Sequence, residues 1–233
     1  MNIHQNLLKF GFFYQENFLK YNEILNLKNF FKNQFLDKNL SEGTIKYDYQ
    51  FLYKYPEIDC IEKKISKFLK KNISYDIYLR NIWMISTNKQ NFRKNNLPFI
   101  PHIDKKRYLK VFLYVEDVNY KDGPFTVCSN TSPIENEQKR INWKSTDKSE
   151  HGLRIDNNNL KYKSMIFKSG TIICFDTNTP HYAGAIEKDG SRKVLRFNYF
   201  SNFNTTVSLN YITSKLKNNL SRIKNQILNK NIT

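Results

Sequence analysis

Cysteine is scarce in this 233-residue chain, and its three residues, Cys60, Cys128 and Cys174, form no C-x-x-C pair and no even set. That pattern argues against a zinc ribbon or a disulfide framework and for a reducing compartment. No run of about 18 apolar residues occurs, so no bilayer-spanning helix is expected. The opening MNIHQNLLKFGFFYQENF has one short apolar patch broken by Lys9 and no small-residue cleavage site. Neither a signal peptide nor an anchor is expected there, and the expected location is the cytoplasm. Internal repeats and Gly/Ser linkers are also missing. Acidic residues are few, 21 Asp and Glu against 38 Lys and Arg, giving a formal charge of +17. Such an excess ordinarily points to a polyanionic partner. Here lysine and asparagine are spread along the whole length rather than gathered into a stripe, as a genome-wide compositional bias would also produce. Basic composition offers electrostatic opportunity and does not define a site.

Packing material, by contrast, is plentiful: 39% of residues are hydrophobic and 15% aromatic, including 18 Phe and 15 Tyr. The chain therefore falls outside the disordered class and is expected to fill one core in one domain. Residues 10–14 read as a short strand followed by a helix carrying Ile24, Leu25, Leu27, Phe30, Phe31 and Phe35 near helical spacing. A second helix is predicted over 60–71 from Ile61, Ile65, Phe68 and Leu69. Then the character changes, and 74–87, 108–117, 123–129, 164–175 and 192–201 read as short β-branched and aromatic strands bounded by Gly, Pro, Asn or Asp. The expected fold is mainly β, a sandwich or jelly roll with helices on its flank. Its parts are a helical flank over 1–72, a β core over 73–202 and a basic C-terminal helix over 203–233. Residues 133–159 are polar and poor in aliphatics, and read as a long excursion over the barrel mouth. The tail 209–230 places Leu216, Leu220, Ile223 and Ile227 on one face, a stripe that fits packing on its own barrel better than contact with a membrane.

Histidine is rare too, and two of the four residues carry the chemistry. Pro101-His102-Ile103-Asp104 sits just before the apolar strand 108–117. Residues two apart on an extended chain point to one face, so His102 and Asp104 are placed to share a metal. His181 offers a third ligand after the turn Asp176-Thr177-Asn178-Thr179-Pro180. Two imidazoles and one carboxylate on one face of an ion leave the opposite face open, the arrangement that suits non-haem Fe(II) oxygen chemistry. Arg192 lies eleven residues beyond His181 at the start of the next strand. An oxygenase that chelates 2-oxoglutarate through its keto acid needs a cation at the far end of the pocket, and guanidinium grips a carboxylate in bidentate fashion.

Taken together, these pieces resemble the phytanoyl-CoA dioxygenase-like family of Fe(II)/2-oxoglutarate-dependent oxygenases. LLKFGFFYQENFL is similar to the family's N-terminal glycine-containing strand and helix start, LKVFLYVEDVNYKDGPFTV to the strand after its H-x-D motif, and SGTIICFDTNTPHYAG…GSRKVLRFNYF to its distal-histidine and arginine strands. The resemblance covers most of the chain. It implies a double-stranded β-helix (jelly roll), Fe(II) on His102, Asp104 and His181, the distal carboxylate of 2-oxoglutarate on Arg192, and O2 as co-substrate. With Asp104 as carboxylate ligand it implies hydroxylation rather than halogenation, with release of succinate and CO2. Two positions depart from the family: Ala183 stands where many members have Ser or Thr, and Cys128-Ser129-Asn130-Thr131 replaces the usual Gly-Ser-His.

Substrate recognition is less legible. Strand alternation puts Arg196 on the same face as Arg192, where it either pairs with a protein acid or awaits an anion on a small substrate. On 78–86, one of two sets lines the pocket, Arg80, Ile82, Met84 and Ser86 or Leu79, Asn81, Trp83 and Ile85, and alternation does not say which. Lys105, Lys106 and Arg107 form either a basic rim or solvated surface. Two other readings compete. A nucleic-acid dealkylase of the same superfamily would need a second arginine about six residues after the first and a base-stacking motif, neither of which occurs. A non-catalytic ligand-binding jelly roll has no reason to keep the triad together with Arg192.

Overall fold

The computed structural model describes residues 2–89, 97–143, 151–155, 157–187 and 189–201, and the helix expected over 209–230 lies outside them. Helix α1 (Ile3–Phe10) is held at its start by a capping box between Asn2 and Gln5 and ends at Gly11, whose φ of 76° is left-handed. Gly11 is required for a second reason: a Cβ there would lie 1.8 Å from Thr179 Oγ1, in the turn that leads to His181. Strand β1 (Phe12–Gln15) follows, then α2 (Tyr21–Asp37), β2 (Gly43–Asp48), a 3-10 turn at Tyr49–Lys54 and α3 (Pro56–Asn72). The N-terminal flank is thus helical, as its spacing indicates, with β1 where residues 10–14 read as a short strand, and it also contributes β2, which the reading of the sequence does not single out.

Strands β3 (Ile77–Asn88), β4 (His102–Asp104), β5 (Leu109–Tyr114) and β6 (Phe125–Cys128) come next. After them come α4 (Pro133–Asn142), β7 (Gly152–Arg154), β8 (Tyr162–Ser164), β9 (Ile172–Asp176), β10 (His181–Ala183) and β11 (Ser191–Ser201). They form two antiparallel sheets, ordered β1-β9-β5-β11-β3-β2 and β7-β4-β10-β6-β8. This is the expected jelly roll. The excursion 133–159 is more structured than its polarity suggests, because Ser132 and Glu135 make a capping box around Pro133 and nucleate α4. The single strand expected over 164–175 is two, separated by a turn with Gly170 at φ 79°.

Each sheet face has its own core. On the outer face of the six-stranded sheet, Leu27, Phe31 and Phe35 of α2 and Ile58, Ile65 and Leu69 of α3 join Ile82, Met84, Val111, Leu113, Leu195 and Phe197 in one buried cluster. Each such side chain contributes roughly 1.5–3 kcal/mol by leaving water. Between the sheets, Phe12, Tyr114, Phe125, Val127, Met165, Ile173, Phe175 and Val194 form a second cluster that closes the barrel beneath the site.

Candidate metal centre

The minor sheet brings the three candidate ligands together. In the pairing of β10 with β4, His181 stands directly opposite His102. Their rings lie 4.5 Å apart between centroids, and Nε2 of each is 3.7 Å from Asp104 Oδ1. One ligand atom from each residue fits within 4.8 Å of the others, and the group is buried.

Backbone carbonyls choose the tautomers. His102 Nδ1 is 2.8 Å from the Ile100 carbonyl oxygen and His181 Nδ1 is 2.9 Å from that of Thr179. A carbonyl only accepts, so each Nδ1 carries the proton and each Nε2 presents its lone pair to the shared space. Lys110 on β5 forms a charge-assisted bond to Asp104 Oδ2, leaving Oδ1 toward the histidines. Lys110 is a neighbour of the candidate ligands that sequence reasoning missed, although a lone lysine inside the apolar run Leu109–Tyr114 is a readable signal.

Burial holds the imidazole of His102 below its ordinary range, against the pull of Asp104, and that of His181 well below, where His102 adds to the effect. Burial also tends to raise Asp104, but Lys110, His181 and His102 together hold its carboxyl low. At neutral pH all three donors therefore have the protonation state a metal requires. A stability prediction follows. In the unfolded chain the histidines take up protons near pH 6.5, whereas in the folded chain they stay neutral to lower pH. The unfolded state then binds more protons, and the metal-free protein is expected to lose up to about 1.4 kcal/mol per pH unit for each histidine as pH falls through 6.5 toward the folded values. Thermal melts between pH 7 and 5 check this: His181→Asn should remove part of the slope, and a flat profile in the parent protein would contradict it.

The turn after β9 is stitched to the segment after β4. The Asp104 amide donates to the Thr177 carbonyl at 3.1 Å, and the Tyr108 amide to Thr177 Oγ1 at 2.8 Å. Arg107 grips Asp176 in bidentate fashion, its Nη2 2.6 Å from Oδ2, and reaches Glu137 of α4. Arg107 is thus buried in an ion pair and belongs neither to a basic rim nor to solvated surface. Burial raises the Asp176 carboxyl above its ordinary range despite Arg107. Asp176→Asn, which leaves Arg107 with Glu137 as its acidic partner, is expected to destabilise the fold, by less than the roughly 3–5 kcal/mol of a buried charge left uncompensated. The double replacement Arg107→Met/Asp176→Leu should cost less than the single one. Urea midpoints decide, and an unchanged midpoint in Asp176→Asn would refute the pair's importance.

Arg192 is buried on β11 and donates to the Gly123 carbonyl, with Tyr114 and Asp122 nearby. Arg196 shares its face, as alternation indicates, and lies opposite Phe112 of β5 and Trp83 of β3. The pairing also separates the two faces of β3: Asn81, Trp83 and Ile85 share the inner face and are half-buried, Ile82 and Met84 belong to the helix-covered core, and the bulge turns Leu79, of the first set by parity, onto that core. Arg80 is the extra residue at a β-bulge opposite Asn198 and Tyr199 and bonds the Tyr108 hydroxyl at 2.6 Å. No helix among the described residues is long and apolar enough to cross a membrane.

No family model matches the chain, and no curated protein matches it in sequence. Solved structures do match its fold. The non-heme α-ketoglutarate-dependent carbocyclase SnoK from nogalamycin biosynthesis superposes with a TM-score of 0.59 at 14% identity, over 84% of this chain and 82% of that one. HygX from Streptomyces hygroscopicus, with nickel and 2-oxoglutarate bound, gives 0.57 at 12% identity over 84% of each chain. The epimerase SnoN, in complex with Fe3+, α-ketoglutarate and nogalamycin RO, gives 0.55 at 13% identity over 85% of this chain and 82% of that one. At such identities the likeness is one of fold.

Proposed function

We propose that this protein is an Fe(II)- and 2-oxoglutarate-dependent oxygenase of small molecules, with His102, Asp104 and His181 as metal ligands and Arg192 as the anchor of the co-substrate. The observation that carries the reading is the pair of Nδ1 contacts to backbone carbonyls, which leaves two neutral Nε2 atoms converging with one ionised carboxylate oxygen. That mixed donor set fits a divalent first-row ion of intermediate softness. The fold likeness to enzymes that hold iron or nickel with 2-oxoglutarate supports the choice of ion and co-substrate.

The chemistry supplied by bound Fe(II), 2-oxoglutarate and O2 is oxidation of a substrate C–H bond, coupled to decarboxylation of 2-oxoglutarate to succinate and CO2. The chain's own residues do the rest. Lys110 holds Asp104 by one oxygen so that the other is presented to the ion, and the Ile100 and Thr179 carbonyls fix the imidazoles. Arg192 provides the buried guanidinium that a carboxylate seeks, with Tyr114 beside it. Phe112, Phe125 and Phe175 pack ring against ring, Phe125 and Phe175 also against the His181 imidazole, and give the site an apolar border. Hydroxylation is the product outcome we propose. HygX with hygromycin B bound and SnoN with nogalamycin RO support a small-molecule substrate.

Succinate release tests the reading. The full chain should form succinate from 2-oxoglutarate only with Fe(II) and O2, and mass analysis of products from a panel of small carboxylates, amino acids, phosphonates and acyl-CoAs should show the gain of one oxygen. Failure to bind Fe(II) on titration would overturn the assignment. A product isomeric with its substrate, or two hydrogens lighter, would replace hydroxylation by another outcome of the same C–H cleavage.

A further inference from the structure

Among the described residues no acid forms an ion pair with Arg196. Its guanidinium carbon lies 3.6 Å from the centroid of the Trp83 ring, a stacked cation–π contact. The Arg196 Nε is buried without a hydrogen-bond partner. The indole Nε1 of Trp83 is equally buried and unpartnered, as is Oδ1 of Asn198, two residues along the same face. Arg196 is half-buried, its Nε the part cut off from water, and a stacked guanidinium retains its N–H edge for a planar anion. Asp104 acts on Arg196 electrostatically, but its carboxylate is already bonded by Lys110.

Arg192, Lys110 and Arg196 all project from the inner face of the major sheet, as the register of β5 and β11 shows. On the oxygenase reading, Asp104 is shared between Lys110 and the metal, and the distal carboxylate of 2-oxoglutarate is taken by Arg192. Four residues of extended strand separate Arg192 from Arg196, roughly 13 Å at the usual rise, beyond the reach of one five-carbon diacid. Lys46 on β2, on the far side of Trp83, stands 4.5 Å from the same ring and adds an exposed cation at the approach. Burial lowers the Arg196 guanidinium to about 10, so it is still charged at neutral pH.

We propose that Arg196, stacked on Trp83, is the subsite that binds a carboxylate of the prime substrate, an assignment that rests on the oxygenase reading of the neighbouring triad. The Nε and Nη hydrogens of Arg196 take the two carboxylate oxygens side by side. Trp83 Nε1–H supplies a further donor at the cavity wall. The substrate class is accordingly a small carboxylic acid, presented to the metal centre by an anchor distinct from that of the co-substrate.

Trp83 itself reports on the test, because the chain has only two tryptophans. In full-length Trp143→Phe protein, kept free of metal and 2-oxoglutarate, acetate should change the Trp83 fluorescence saturably, and the neutral analogue acetamide should not. Arg196→Met should weaken the acetate response at least tenfold, and Arg192→Ala should leave it in place. Arg196→Gln, which keeps a polar head without the charge, makes the same comparison should the Met variant fail to fold. No response in the parent, an equal response in the Arg196 variants, an equal effect of acetamide, or loss of the response in Arg192→Ala would each overturn the proposal. None of these measurements needs a loaded metal site, so their failure leaves the oxygenase reading to be decided by succinate release.

Discussion

Alanine in place of His102, Asp104 or His181, one at a time, is expected to abolish 2-oxoglutarate turnover while leaving the circular dichroism spectrum close to that of the parent. The two effects separate because of where these side chains sit. The triad lies on β4 and β10 of the smaller sheet, whereas the apolar clusters are built by the helices, the major sheet and the aromatic side chains between the sheets. Removing one of three protein ligands also cripples a centre that keeps its other positions for substrates. The loss should exceed the roughly 10–100-fold that an outer hydrogen-bond partner such as Lys110 is worth. Asp104→Ala carries one further consequence: Lys110 then loses the only acidic partner it bonds among the described residues. That variant should accordingly melt lower than the two histidine variants. Full turnover in any of the three would remove that residue from the metal centre.

Arg192→Ala is expected to raise the 2-oxoglutarate requirement far more than the iron requirement. A charge-assisted bidentate contact to a carboxylate is lost without touching the metal ligands, and truncating one member of a buried charge pair costs about 2–5 kcal/mol. That corresponds to roughly thirty-fold to a few thousand-fold in KM for 2-oxoglutarate. The parent protein already gives the guanidinium one partner, the Gly123 carbonyl, so its position does not depend on ligand. Initial rates of succinate formation over a range of 2-oxoglutarate, with Fe(II) titrated separately, give both numbers. Equal shifts in the two requirements, or none, would move the co-substrate's anchor away from Arg192.

How much of this was open to reading from the chain divides along the reach of the interactions. Alternation along one strand is local, so residue parity alone puts His102 with Asp104, and Arg192 with Arg196, on shared faces, and the register of β4 and β11 agrees. The same holds in large part for the helical stripes of α2 and α3: Leu27, Phe31, Phe35, Ile61, Ile65 and Leu69, selected by spacing, are buried, whereas Leu25 is exposed and the buried Ile58 lies before the helix start that the spacing gives. Helix α4 was legible in principle from its Ser-Pro-x-Glu start, but the polarity of the surrounding segment outweighed that signal.

What tertiary structure alone decided are contacts between segments remote in sequence. The six residues of β2 carry a strand's alternation, Ile45 and Tyr47 buried and Lys46 and Asp48 exposed, but a signal that short is fixed only by β3 beside it. Arg107 sits in a run of three cations and reads as surface, yet it is buried because Asp176, arriving from β9, neutralises it. Which face of β3 lines the cavity could not follow from alternation, since a period of two defines two faces and does not name the inner one. Pairing with β11 settles it by placing Trp83 beside Arg196. The sequence by itself determined the residue types and parities of the triad and of both arginines. The pairing of β4 with β10 determined that the triad converges, and the packing of β3, β5 and β11 determined which cations inside the barrel are matched by an acid, because a buried charge is defined by the neighbours that folding delivers to it.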